Sequence, residues 1–172
     1  MITQWKPDFE KWYNVDKEAY KFIFDQAEKR FEDISSESES ITNKSIKMLT
    51  AVVAMFAFFV GFVLQKKMPI GNYAIFIGLF VVNVVGILFL IFPKEGKQRG
   101  IPPKTLVPSK LDTEDKEHQE EMLYYSAIVI LQENIRFMLE RNKSRGILYL
   151  ISLIIAVCVF VSGVATIVIS LY

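Results

Sequence analysis

GNYAIFIGLFVVNVVGILFLIF, residues 71–92, runs without a single Asp, Glu, Lys, Arg or His. An α-helix rises about 1.5 Å per residue, so a run of this length covers the ~30 Å hydrocarbon core of a bilayer. Two further stretches read the same way. Residues 147–172, ILYLISLIIAVCVFVSGVATIVISLY, carry no Asp, Glu, Lys, Arg or His, and residues 45–64, SIKMLTAVVAMFAFFVGFVL, carry only Lys47, close to their start. The sequence therefore reads as an integral membrane protein with three spans. Too little chain remains outside them for an enzymatic domain of ordinary size.

The basic residues set the expected orientation. Eight of the twenty Lys and Arg residues lie at or before Lys47, two (Lys66 and Lys67) lie between the first two spans, and ten lie between Pro93 and Arg145. With three crossings the N-terminal segment and the 93–145 segment share a face, and the positive-inside rule makes that face cytoplasmic and the C-terminus external. The first apolar run begins after 44 mostly polar residues with no short basic leader and no small-residue cleavage site, so it reads as a retained span and not as a signal peptide. Cys158 is the only cysteine and lies within a span, which excludes an intramolecular disulfide and argues against a thiolate metal cluster. A formal net charge of +1, from acids and bases mixed on the same segments, argues against a nucleic-acid-binding face.

Four segments emerge: 1–44, an N-terminal helical segment; 45–92, a hairpin of spans 45–64 and 71–92; 93–145, a connector and helix; and 146–172, the third span. Trp5, Phe9, Trp12 and Tyr13 recur at helical spacing around Pro7. Such a turn suits either the headgroup level or a fold back onto the neighbouring helices. From Asp16 to Asn43 the residues Tyr20, Phe24, Ala27, Phe31, Ile34, Ser38 and Ile41 alternate at spacings of four and three, a narrow seam that needs a partner helix. No Pro or Gly separates this helix from the first span, so one rod of about 74 Å is expected, weakest at Ser35–Ser40. Residues 66–72, KKMPIGN, read as a tight external turn. Gly96, Gly100, Pro102, Pro103 and Pro108 make a breaker-rich connector. Asp112-Thr-Glu-Asp then reads as a helix start. Tyr124, Ile128, Leu131, Ile135 and Met138 form a second seam, and the five apolar residues Ala127–Leu131 are too many for one partner face, which suggests contacts between subunits. Arg141, Lys143 and Arg145 close this helix at the headgroup level, with Gly146 as a hinge before the last span. No segment alternates like a strand.

The few polar positions within the spans are the candidate functional residues. Asn83 lies midway along the second span, where a lipid-facing amide would leave donors and acceptors unpaired. It either bridges two helices, a bond worth about 0.6–2 kcal/mol, or contributes to a ring of amides around a pore axis. Ser152, Ala156, Gly163, Thr166 and Ser170 form a stripe of small or polar residues on the third span, with Val159 in the gap. Close helix packing and a lumen lining both fit that stripe. Ala57 and Gly61 make a weaker pair of the same kind. His118, the single histidine, sits among Asp115, Glu117, Glu120 and Glu121 and reads as surface. No nucleophile–base pair, phosphate-cradling glycine loop or metal-ligand spacing is present in the sequence, so neither an enzyme nor a cofactor is expected. Spans without a mid-membrane ionisable group also disfavour an ion-coupled transporter.

The order of elements resembles small membrane effectors of bacterial antiphage defence, chiefly the Pycsar-type transmembrane effectors and the related SLATT families. The stretches that carry the likeness are YKFIFDQAEKR (20–30) through SIKMLT (45–50), and FPK (92–94) onward to NKSR (142–145). The resemblance implies a helix running into a first span, a hairpin, a breaker-rich cytoplasmic segment, another helix and a final span. It also implies a homo-oligomer in the bacterial inner membrane that alters membrane integrity once infection is sensed, triggered by a cyclic nucleotide or by a partner protein of the defence system. Accessory membrane proteins of type VI CRISPR systems are a second possible relative, although the Arg–His pair of an RNase-like site is missing here: the arginine preceding His118 is Arg99.

Taken together, these readings predict an all-α integral membrane protein of three transmembrane helices and two long cytoplasmic amphipathic helices, assembled as an oligomeric bundle. Phe24, Phe31, Ile34, Ile128, Leu131 and Ile135 are the expected oligomer seam. Asn83, Ser152, Ala156, Gly163, Thr166 and Ser170 are the expected pore-lining or span-packing residues. A non-conducting adaptor acting through its cytoplasmic helices is the alternative.

Overall fold

The structure, a computed structural model, describes residues 15–66, 71, 73–92 and 118–171, the side chains of Ser170 and Leu171 excepted. The Trp-rich N-terminal turn, most of the hairpin turn, the 94–109 connector and the helix start at Asp112 lie outside the described residues.

The described chain is all-helical, with three long elements: α1 (Lys17–Gln65), α2 (Ala74–Ile91) and α3 (Gln119–Leu171). Each is long and apolar enough to cross a membrane. α1 begins where Asp16 Oδ1 accepts from the Glu18 amide at 3.4 Å, and Glu18 adds negative charge at the positive end of the helix dipole. It then runs for 49 residues without interruption, through Ser35–Ser40 and into the apolar segment, because no Pro breaks it and its first glycine is Gly61. α2 ends at Phe92, whose amide donates to the Leu88 carbonyl, and Pro93 follows with no amide hydrogen to extend the ladder. α3 opens with Glu120 and Glu121 in its first turn. It passes through Gly146 unbroken, so the hinge expected there does not exist as a helix break. One helical glycine costs only about 1 kcal/mol, and the surrounding contacts override it. The expected second helix and third span are thus one element.

Among the described residues two compact units form, one from residues 15–36 and 118–141, the other from 37–66, 71, 73–92 and 142–171. In the first, α1 and α3 run parallel: Lys17 pairs with Glu120, the Phe24 ring meets Tyr124 edge-on at 5.7 Å, and further along Phe31 and Ile34 are buried with Leu131, Ile135 and Met138. The seam predicted on α1 and the seam predicted on α3 are therefore each other's partner. The hydrophobic effect holds this pair, at about 1.5–3 kcal/mol for each fully buried large side chain.

In the second unit α1 and α3 again run parallel, and α2 runs antiparallel to both. Met48, Val52, Ile87 and Ala156 form one cluster, and Phe59, Phe76 and Val159 another. Phe56 stacks on Phe80, and Phe59 meets Phe76 and Phe160 edge-on. The outer faces remain apolar, with Phe58, Val82, Phe89, Ile154 and Val161 all more than half exposed. Acyl chains satisfy such a surface and water does not. Within hydrocarbon the hydrophobic effect cannot hold three helices together, so close packing and polar contacts must do so.

Candidate functional site

Polar side chains gather at two levels of the apolar bundle. At its polar end, Arg145 on α3 reaches both other helices. Its Nη1 donates to Ser38 Oγ at 2.6 Å and to the Ser38 carbonyl at 3.3 Å, while Nη2 donates to Thr42 Oγ1 at 2.7 Å and to the Leu90 carbonyl at 2.8 Å. Leu90 lies in the last turn of α2, where carbonyls lack an intrahelical donor and the helix dipole is negative. A guanidinium from another helix supplies both the donor and the charge. Thr42 and Ser45 hydroxyls turn back to carbonyls of their own helix, Ser38 and Ile41, so that α1 presents a hydrogen-bonded polar face there. One turn before Arg145, the Asn142 amide donates to Glu37 Oε2 at 3.3 Å.

In the middle of the bundle, Asn83 is fully buried. Its carboxamide is oriented by its neighbours: the nitrogen donates to the Ser152 carbonyl at 2.9 Å and the oxygen accepts from the Ala156 amide at 3.2 Å. The predicted stripe on α3 lies beside it, with Ser152, Ala156, Val159, Gly163 and Thr166 all buried. Thr166 donates to the Ser162 carbonyl at 2.9 Å. Ser170 lies outside the described side chains. Gly163 is where backbone approach matters most, because a β-carbon there would meet the Phe59 ring at 2.7 Å. At Gly86 a β-carbon would lie 3.1 Å from Ser152 Oγ. Ala57 and Gly61, the weaker small-residue pair, are exposed, and a β-carbon on Gly61 would meet nothing within 4 Å.

Within one chain Asn83 and the stripe residues Ser152, Ala156, Gly163 and Thr166 are buried between the spans. The six seam residues also find their contacts inside the chain: Phe31, Ile34, Ile128, Leu131 and Ile135 are buried, and Phe24 packs against their cluster. Within one chain the two seams cover each other. In the over-wide turn Ala127–Leu131, Ala127, Ile128 and Leu131 are buried and Val129 and Ile130 half-buried.

Arg145, Ser38, Thr42, Asn142 and Glu37 make the polar cluster that sequence reasoning did not assemble. The signal was present: Ser38, Thr42 and Ser45 follow one another at spacings of four and three, and Arg145 is the last charge before a charge-free run. His118 is half-exposed, its Nδ1 3.8 Å from Glu121 Oε2. Among the described residues no three His, Cys, Asp or Glu side chains gather as a metal site.

No protein-family model matches the chain, and no curated protein and no solved structure matches it either.

Proposed function

We propose that this protein is a non-enzymatic effector of the bacterial inner membrane, with its N-terminus in the cytoplasm and its C-terminus outside, serving antiphage defence. On this reading the parallel α1–α3 pair receives a cytoplasmic signal, a cyclic nucleotide or a partner protein, and the apolar bundle responds by associating with further copies and permeabilising the bilayer. The observation that carries it is the continuity of α1 and α3, each a single helix that contributes both to the seam pair and to the apolar bundle. A change at the seam thus acts on the same backbones that pack the spans. The leak would form between copies, because the polar groups within one bundle are engaged with each other. Induced expression in cells carrying a membrane-potential dye tests the proposal. Loss of potential and arrested growth on triggering are expected, and full potential with normal growth would overturn it.

A second reading is favoured by one observation. Asn83, Ser152 and Thr166, three of the polar positions within the spans, are all buried inside one chain and so turned away from the outer face of the bundle. A non-conducting membrane adaptor, docking a partner on its cytoplasmic helices, fits that arrangement. Purification in mild detergent separates the two: a stable self-oligomer supports the effector, and a monomer that carries a partner supports the adaptor.

A further inference from the structure

The apolar bundle has an open groove of about 540 Å³ between α1 and α3. Its lining changes character along its length. At one end stand Lys44 and Lys47, one turn apart on the same face of α1, with Tyr149 across from them on α3. Beyond that end the walls are entirely apolar, and Met55 and Phe160 close the far end. Ala51 and Ala156 make part of the wall, and their small side chains leave the space open.

Two quantities identify what fits. From Lys44 to Met55 the helix rises about 16 Å, which is half of the ~30 Å hydrocarbon thickness and so the depth of one leaflet. Lys44 and Lys47 are exposed, and neither forms an ion pair with a carboxylate among the described residues. Two cations at the headgroup level, an aromatic hydroxyl beside them and a one-leaflet apolar channel below are complementary to a single molecule that is anionic at one end and aliphatic along the rest. We infer that this groove binds an anionic glycerophospholipid of the same leaflet, with its phosphate between Lys44 and Lys47 and one acyl chain laid along Ala51 toward Phe160. The inference needs only a bundle that sits in a bilayer and stands whether or not the bundle conducts.

The full chain, delipidated in detergent, is titrated separately with phosphatidylglycerol and phosphatidylcholine, and bound lipid is counted by native mass spectrometry. One phosphatidylglycerol per chain is expected, retained at least about tenfold more tightly than phosphatidylcholine, since the two lysines attract a net anionic headgroup and not a zwitterionic one. Lys44→Gln with Lys47→Gln should abolish that preference while leaving helicity unchanged, because both side chains are exposed. Ala51→Phe, which fills the channel, should reduce retention of both lipids. Glycerol phosphate alone should not displace the lipid. Equal retention of the two lipids by the wild type, an undiminished preference in the double variant, unchanged retention in Ala51→Phe, or displacement by glycerol phosphate would each overturn the assignment.

Discussion

The ring of Phe59 occupies the space that a side chain at position 163 would take: a β-carbon on Gly163 would lie 2.7 Å from Phe59 Cε2 and 2.8 Å from Cδ2. The ring has little room to retreat, being only 4% exposed and held edge-on by Phe76 and Phe160. Where acyl chains compete with side chains for contact, this kind of interlocking does the work that water exclusion does in a soluble core.

Gly163→Ala should therefore destabilise the bundle by about 1–3 kcal/mol, the usual cost of overpacking. Thermal unfolding in detergent, followed by loss of helicity, measures it. Phe59→Leu should be mildly destabilising alone and should rescue Gly163→Ala in the double variant, giving a coupling of opposite sign to the single effects. Purely additive losses would show that the two residues do not compete for one space.

Arg145 ties α3 to both other helices, and its geometry sets what can replace it. Four donor contacts to Ser38, Thr42 and Leu90 require a planar fork that a lysine ammonium does not reproduce. Arg145→Gln should cost about 2 kcal/mol, because hydrogen bonds from a charged donor are worth roughly 1.5–3 kcal/mol and the Leu90 carbonyl loses its cap. Arg145→Lys should recover less than half of that loss. Full recovery by lysine, read from the same unfolding midpoints, would mean that charge alone matters at this position.

The three apolar runs, their helical nature and both seams were legible in the sequence because each rests on periodicity or on the absence of charge, and both signals survive without knowledge of the neighbours. Asn83 was legible for a related reason, since an amide deep in an apolar run must face protein. Partner choice was not legible. The seam on α1 could have met a second copy or α3, and nothing local to Phe31 or Ile34 distinguishes them. Gly146 misled because a glycine between a charged helix and an apolar run has the look of a boundary, whereas Arg145 beside it is anchored to two other helices. The role of Arg145 itself was hidden because its partners, Ser38 and Leu90, are brought together only by folding.

Tyr20 gives the seam pair a dependence on alkaline pH. Burial, with smaller contributions from Tyr125 and Glu121, pushes its phenol up to about 12 from the ordinary value of 10.0. Below the ordinary value the phenol is neutral whether the chain is folded or unfolded, and the stability of the pair is complete. As pH rises past it, the unfolded chain ionises first and stability falls, until the folded phenol also ionises near its raised value. Tyrosinate absorbance should show Tyr20 titrating after the exposed tyrosines, and thermal stability should decline between pH 10.0 and about 12. Tyr20→Phe should flatten that decline. An equally steep decline in the variant would assign the sensitivity to another group.

Asn83→Leu separates packing from conduction most directly. The Asn83 carboxamide contacts the Ser152 carbonyl and the Ala156 amide, which are four residues apart on α3 and already hydrogen-bond to each other within the helix. Leucine has the same branched heavy-atom skeleton and is somewhat larger, so the variant removes a shared contact without leaving a void and without stranding a backbone group. The loss should be about 1 kcal/mol, within the range for polar contacts between helices in a bilayer. Asn83→Ala should cost more, because it adds a cavity where leucine would not. If the amide instead lined a conducting axis in an assembled state, leucine would change the leak measured with a potential-sensitive dye while leaving the unfolding midpoint in place. A buried bridge predicts the reverse: a lower midpoint and, at equal amounts of folded protein, an unchanged dye response.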